Sequence, residues 1–421
     1  MTTRHAAPRR RRAPRHARDL RSHGVLRGVA LAVTTVLVFG AAGGVAVAAR
    51  LNGNVDTVSL DGLVAEAPTP TGPPDPTDAR AGEAVNVLIL GSDQRDGENE
   101  AIGGAVEGMR SDTTILMHVS ADRTRVELVS IPRDSLVDIP ACTMSDGRTT
   151  KARKGMFNDA FAIGYDNGND IASAAACTWS TVVENTGVPL THFVVIDFAG
   201  FQNMINAVGG VETCIENDIK DRYTGLDITA GLHRLDGVTA LQYARARHGT
   251  GLDGSDIMRA GRQQRLIADL ADEVLSKNVL TDAPQLLQFL SAATQSLTTD
   301  VTMGDLTGLA FSLRSIDRAN IVLTTVPWAP ARTDPNRVEW TSAADELWAN
   351  IASDVPMLGA PTPEPTPTTA PPQAGGPADP AAPVDPADPG AGDAPVAEPT
   401  PTPTKTPGRE AFTAADVTSS C

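Results

Sequence analysis

The sequence predicts an α/β fold: a central mixed β-sheet with helices on both faces, preceded by one transmembrane helix. Three observations lead there. Short β-branched runs bounded by Gly, Pro, Ser or Asp recur along the middle of the chain and read as strands. Helical patterns are interleaved with them, the order expected of a layered α/β domain. Ahead of both lies an uncharged stretch, Gly28 to Ala49, long enough to cross a bilayer.

The uncharged stretch comes first. As a helix, its 22 residues would reach about 33 Å, the thickness of the hydrocarbon core. Residues 1–27 carry nine arginines and one acidic residue, Asp19, in a chain whose formal net charge is −16. That basic head places the N-terminus in the cytoplasm and the rest of the chain outside the cell membrane, as a single-pass protein. Ala46-Val47-Ala48 resembles a signal-peptide cleavage site, but the apolar run exceeds the usual length of such a segment, so an uncleaved anchor is expected. The head has no aromatics and no DNA-reading motif, which argues against a nucleic-acid partner and for anionic lipid beside it.

Residues 50–84 are rich in Pro, Asp, Thr and Gly and read as an extracellular tether. Residues 85–356 have the length of one large domain. Within it, Val85–Leu90, Thr113–Val119, Arg125–Ile131, Phe193–Ile196 and Ile321–Val326 are the strand-like runs. A turn at Ala121–Thr124 between the second and third makes a hairpin, so the sheet should be mixed. Ile171 to Glu184 reads as a helix, and Leu266, Ile267, Leu270, Val274 and Leu275 share one face of another. Residues 357–421 hold 16 of the 31 prolines and almost no aromatics, too little apolar surface to offset ordering entropy, so a disordered tail is expected.

Outside the cell, cysteines can pair. Cys142 and Cys177 are 35 positions apart, and a disulfide between them would stabilise by about 3–4 kcal/mol through loop closure. Cys214 and Cys421 show no obvious partner, and no His/Cys spacing suggests zinc.

The chemistry concentrates in YARARH (Tyr243 to His248) and SDIMRAGRQQ (Ser255 to Gln264), which place Arg245, Arg247, Arg259 and Arg262 close together on an acidic chain. Guanidinium forks fit phosphate oxygens, so the reading is a phosphate or pyrophosphate cradle. Three other segments add polar groups at strand ends: Asp93 in LGSDQ, Arg110 and Asp112 in MRSDT, and Arg133 and Asp134 in SIPRD. Carboxylates mixed with arginines suit a metal–pyrophosphate site; a buried salt-bridge network is the competing reading. No phosphate-binding glycine loop or dinucleotide fingerprint is present.

Taken in order, GSD, RSDT, SIPRD, YARAR and D-x-x-R-x-x-R-Q-Q closely resemble the LytR–CpsA–Psr family of cell-wall glycopolymer ligases. The resemblance implies an α/β/α sandwich, extracellular and membrane-anchored. It implies transfer of a glycosyl phosphate from a polyprenyl-(pyro)phosphate-linked glycan to a peptidoglycan hydroxyl, assisted by Mg2+, with Mn2+ as a substitute. Carried over, Asp93 and Asp112 would hold the metal; Arg110, Arg133, Arg245, Arg247, Arg259 and Gln263 would contact the pyrophosphate. Arg110 and Arg133 are the catalytic arginines of this reading. Asp256 opens a helix as its N-cap and is also a candidate to activate the acceptor hydroxyl, in competition with Asp134. Arg262 is placed to brace the site instead. Phe198, Phe201, Ile205 and Val208, at helical spacing, are candidates for the wall of an isoprenoid pocket or for packing on the sheet. The chain departs from the family pattern in having Met156 and Phe157 before Asn158, with Lys154 the nearest base, and in an insertion between Asp93 and Asp112. A lipid pyrophosphatase and a non-catalytic anionic-lipid-binding envelope protein are the alternatives from the same residues.

Overall fold

The structure is a computed structural model that describes residues 56–66, 68–69, 78, 80–93, 99, 102, 109–276, 289, 291–292, 297–359 and 405–416. The expected anchor at 28–49 and the basic head lie outside these residues. Among the described residues, no helix is long and apolar enough to cross a membrane.

Eight strands make the main sheet: β1 (Asp56–Thr57), β2 (Val85–Ser92), β3 (Ser111–Val119), β4 (Val126–Ile131), β7 (His192–Ile196), β12 (Leu297–Thr299), β13 (Ile321–Thr325) and β16 (Phe412–Thr413). Their order is β1-β12-β7-β2-β3-β4-β13-β16. The sheet is mixed: β2 runs antiparallel to β3 and parallel to β7, and β4 runs antiparallel to β3 and parallel to β13. Short two-stranded pieces flank it: β5 (Leu136–Ile139) with β6 (Arg153–Met156), β8 (Val211–Ile215) with β11 (Gly231–Leu235), β9 (Ile219–Asp221) with β10 (Leu226–Ile228), and β14 (Trp328–Pro330) with β15 (Val338–Trp340).

The central strands are apolar on both faces, which is why they read as continuous hydrophobic runs. Leu88, Leu90, Leu116, Val129 and Phe193 point into one core, shared with α1 (Asp159–Gly168), α2 (Ile171–Thr186) and α7 (Ser342–Ala352). Val85, Val87, Ile115, Val119 and Leu128 point the other way, towards α5 (Asp256–Ser276) and α6 (Met303–Ser312). The helix α2 starts where the Asp170 carboxylate accepts the Ser173 amide and stops at Gly187, whose φ of 67° suits glycine. Ala174, Ala175 and Cys177 on it are fully buried, and Cys177 is disulfide-bonded to Cys142. Cys214, whose state the sequence left open, is disulfide-bonded too; Cys421 lies outside the described residues.

A smaller core forms beside the sheet from α3 (Phe198–Ala207), α4 (Gly237–Arg245) and the β8–β11 hairpin, around Ile205, Val208, Val211, Leu235, Ala240 and Tyr243. It carries the arginine run.

Two boundaries differ from the sequence reading. The tether is partly domain: β1 pairs with β12, Leu60 is buried in the main core, and Asp78 accepts the Arg123 Nε at 2.9 Å. The tail is partly domain as well. Within it, β16 pairs with β13, Phe412 is 2% exposed, and the Gly408 amide donates to Gln264 Oε1 at 2.9 Å. Proline content hid this, because a segment that borrows a neighbour's core needs only one aromatic of its own. Ending the chain after residue 404 should therefore destabilise the domain by about 2–3 kcal/mol, the worth of one buried aromatic plus its edge pairing, read as a lower melting temperature.

Candidate active site

The site lies at the end of the sheet where β2 finishes and β3 begins. A bulge between Gly91 and Ser92 ends the regular ladder, and Asp93 then locks onto the neighbouring strand: its amide donates to the Arg110 carbonyl at 3.0 Å, and its Oδ1 accepts the Arg110 amide at 2.6 Å. Arg110 is exposed beside it. The antiparallel register pairs Thr114 with Ile131 and so sets Asp112 opposite Arg133. Their side chains meet, Arg133 Nη1 donating to Asp112 Oδ1 at 2.8 Å.

Arg133 is the hub. Its amide donates to Asp256 Oδ2 at 3.2 Å, and its Nε lies 3.3 Å from Asp256 and 3.6 Å from Asp134. Asp256 is the first residue of α5, but its carboxylate does not cap that helix. The cap is Ser255, whose Oγ accepts the Met258 amide at 3.2 Å. Asp256 instead holds Arg259, one turn on, at 2.5 Å, and Arg259 Nη2 also donates to the Asp112 carbonyl at 3.1 Å. Arg259 is 6% exposed, so its position is set by packing.

The second pair of arginines arrives differently. In Tyr243-Ala244-Arg245-Ala246-Arg247, α4 ends at Arg245 and the chain continues extended, with Ala246 at φ −56° and ψ 130°. Tyr243, Ala244 and Ala246 are buried in the small core, which leaves Arg245 and Arg247 facing out of it. The Arg245 guanidinium sits 4.3 Å over the Phe198 ring, and Arg247 reaches Asp134 at 3.8 Å. Arg262 hydrogen-bonds the Ala246 carbonyl and braces the end of α4. Gln263 does the same at Ala244, 3.2 Å away, while lining the cleft formed by Asp112, Arg133, Asp256 and Arg259.

Electrostatics follow from this crowding. Burial pushes the Asp112 carboxyl up, but Arg259, Arg133 and Arg245 more than offset it and hold it below the usual carboxylate range. Asp134 goes the other way: burial and the neighbouring Asp256 raise it despite Arg133 and Arg337. Arg110, Arg133, Arg245, Arg247, Arg259, Arg262 and Arg337 outnumber Asp93, Asp112, Asp134 and Asp256 by three. The Nε atoms of Arg133 and Arg259 have no hydrogen-bond acceptor among the described residues. Arg133 Nε nonetheless keeps ion-pair contacts with Asp256 and Asp134, so it is the surplus of guanidinium groups, not an unpaired atom, that suits the cluster to a polyanion.

Two contributors were missed from sequence. Arg337, from the β14–β15 connection, contacts Asp134 at 3.4 Å across 203 positions, and nothing local announces it. Asn158 is buried with its amide on the Arg133 carbonyl at 3.2 Å and its own Oδ1 unpaired. Lys154 sits on β6, exposed and paired in register with Asp138. Phe198, expected on the lipid wall, lies under the Arg245 guanidinium.

The rest of the expected lipid wall is elsewhere too. Phe201, Ile205 and Val208 pack into the small core, because α3 turns its apolar face to α4 and the β8–β11 hairpin instead of the sheet. An apolar cavity of about 280 Å³ instead lies between the sheet and α6, lined by Val85, Val87, Ile89, Met117, Val194, Ile196, Val301, Leu306 and Leu309. It runs along β2 and β7, where Gly91 pairs with Ile196 and Val87 with His192.

Similarity searches agree with the motif order. Over 233 residues the chain is 32% identical to the polyisoprenyl-teichoic acid–peptidoglycan teichoic acid transferase TagU of Enterococcus faecalis, covering 55% of this chain and 67% of that protein. It is 34% identical over 252 residues to the probable cell wall biosynthesis protein LcpB of Corynebacterium glutamicum, covering 58% of this chain and 55% of that one. The chain thus spans about half the length of this corynebacterial relative. Among solved structures, protein gbs0355 of Streptococcus agalactiae superposes with a TM-score of 0.50 at 19% identity, over 65% of this chain and 88% of that one, a likeness of fold. The LytR_cpsA_psr family profile matches residues 58–351, from just after the first strand to the last long helix, and the chain belongs to that family.

Proposed function

We propose that this protein is a membrane-anchored phosphotransferase that moves a glycopolymer from a polyprenyl-pyrophosphate carrier to a peptidoglycan hydroxyl, with its catalytic domain outside the cell. The observation that carries the reading is the convergence of Arg133 and Arg259 on one cleft, with Arg245 and Arg247, from a distant stretch of chain, drawn to the neighbouring Asp112 and Asp134, on a domain that also holds an apolar cavity. The guanidinium groups would pair with a pyrophosphate, and the apolar walls of the cavity would shelter part of an isoprenoid chain. The named activities of relatives such as TagU support it.

In this reading the acceptor oxygen attacks the sugar-proximal phosphorus and the bond to the bridging oxygen breaks. Polyprenyl phosphate departs with the negative charge. Arg133 and Arg259, fixed before substrate arrives, stabilise that charge without reorganising. The acceptor's proton must go to a nearby carboxylate. Asp256 is locked to Arg259 at 2.5 Å, whereas Asp134 keeps its three arginines at 3.4–3.8 Å and its carboxyl is raised by burial and by Asp256, so Asp134 is the better acceptor.

Asp93 and Asp112 lie at adjacent strand ends, and two carboxylates with water and phosphate oxygens are a donor set that Mg2+ or Mn2+ accepts. Bound there, the ion would neutralise phosphate charge. Among the described residues there is no group of three or more His, Cys, Asp or Glu that could hold a metal ion, so Asp93 and Asp112 would supply the only protein carboxylates in this reading.

The test is to incubate the full chain with a lipid-linked glycosyl pyrophosphate, with and without peptidoglycan oligomers. Glycosyl phosphate joined to the acceptor is the expected product. Release of glycosyl phosphate to water in both arms would make the protein a pyrophosphatase, and binding without turnover would make it a lipid-binding protein.

A further inference from the structure

We propose that Tyr223, flanked by Arg222 and His248, is a saccharide platform that binds a sugar ring beside the pyrophosphate cleft. The inference rests on the transfer reading and names the part of the substrate that the cleft itself does not touch. Tyr223 is at the tip of the β9–β10 hairpin and is 69% exposed, the most open large hydrophobic side chain among the described residues. It is nevertheless held. The Arg222 guanidinium lies 4.9 Å over its ring and donates to its hydroxyl at 2.9 Å, and the His248 ring meets it edge-on at 5.8 Å and 75°.

The hairpin is fastened to the arginine run itself. Asp221, 1% exposed, accepts the Tyr223 amide on Oδ1 at 2.8 Å and, on Oδ2, the amides of Arg247 at 2.8 Å and His248 at 3.0 Å. Lys220 exchanges backbone hydrogen bonds with Thr250 at 3.2 and 3.3 Å. Gly249, at φ +135°, lets the two segments close up: a Cβ there would meet the Lys220 carbonyl at 2.0 Å. One buried carboxylate therefore fixes both a phosphate-site arginine and an exposed aromatic.

The chemistry favours a sugar. An amphipathic ring offers a flat face to the C–H face of a pyranose, while guanidinium and imidazole donate to its hydroxyl or acetamido oxygens. A membrane contact is disfavoured, because the hairpin's apolar residues, Ile219 and Leu226, are buried inward and Lys220 is paired with Asp227. The ring could belong to the glycan of the lipid-linked donor or to the peptidoglycan acceptor. Both are pyranoses that must approach the same phosphorus.

The experiment compares the full chain in detergent with its Tyr223→Ala and Tyr223→Phe variants. Three ligands are titrated: farnesyl diphosphate, a polyprenyl-diphosphate-linked disaccharide, and a soluble tetramer of N-acetylglucosamine. For Tyr223→Ala, affinity for farnesyl diphosphate should stay within twofold, while affinity for one saccharide ligand falls about tenfold. Tyr223→Phe should behave as wild type in both. A loss with the lipid-linked disaccharide assigns the platform to the donor, and a loss with the tetramer assigns it to the acceptor. Unchanged saccharide binding in the alanine variant, or no saccharide binding by wild type, overturns the proposal, as does a loss confined to binding of anionic phosphatidylglycerol vesicles. Should wild type bind the tetramer through Tyr223 but fail to bind any diphosphate, the platform stands and the transferase reading falls.

Discussion

Arg245→Ala is expected to lower glycopolymer transfer by about 10²–10³-fold while leaving the melting temperature close to wild type. The guanidinium contributes to the field at Asp112 and faces out of the small core, stacked on Phe198. Its loss removes a half-exposed cation–π contact worth about 0.5–1 kcal/mol, too little to threaten the fold. Arg259→Ala should behave otherwise. That residue is buried, pairs with Asp256 at 2.5 Å and supports the Asp112 carbonyl, so removing it leaves the buried Asp256 carboxylate with Arg133 alone and costs about 3 kcal/mol in addition to activity. The two variants, assayed for transfer and for thermal unfolding side by side, separate a substrate-binding arginine from a structural one. An Arg245→Ala protein that transfers normally, or that unfolds as readily as the Arg259 variant, would return the cluster to the salt-bridge reading.

The second large effect concerns stability and pH. Asp269 on α5 is 3% exposed, and burial pushes its carboxyl up to about 7 against the pull of the Thr213 hydroxyl, 2.5 Å away, and of Arg265. The folded protein therefore holds a proton here that the unfolded chain releases above its ordinary value of 3.8. A raised carboxyl makes the native state the better proton binder, so stability is full below about pH 4, declines as pH rises towards 7, and is level beyond. About three pH units at 1.36 kcal/mol each give a decline of about 4 kcal/mol. Asp269→Asn cannot ionise and keeps an oxygen for Thr213. Urea unfolding at pH 5 and pH 8 should show the variant gaining on wild type by several kcal/mol at the higher pH. Parallel slopes for the two proteins would mean that Asp269 is ionised throughout.

Much of the central sheet was readable beforehand for a simple reason. The strand runs β2, β3, β4, β7 and β13 are buried on both faces, so their apolar character is continuous and needs no partner to be seen. The short pieces β8 to β11, β14 and β15 escaped because three to five residues carry too little periodicity. The edge strands β1 and β16 escaped because proline-rich surroundings masked them. At the site, Asp112 and Arg133 could be paired from the hairpin alone, since an antiparallel register depends only on a turn. Arg337 could not, because its approach to Asp134 depends on where a distant β-connection folds back.

The amino-acid sequence by itself determined the residue types and their order: arginines gathered in two short runs of an otherwise acidic chain, carboxylates at strand ends, and two cysteines 35 positions apart. These are properties of composition and local spacing, and local forces fix them. Only the tertiary structure decided which groups share charge. It took Phe198 from the lipid to an arginine, moved the apolar cavity from α3 to the face under α6, gave Asp256 to Arg133 and Arg259 instead of to its own helix, and bolted Tyr223 to the arginine run through one buried carboxylate. Those outcomes turn on which of several similar apolar faces pack together, and that choice is made by the competition among all of them at once.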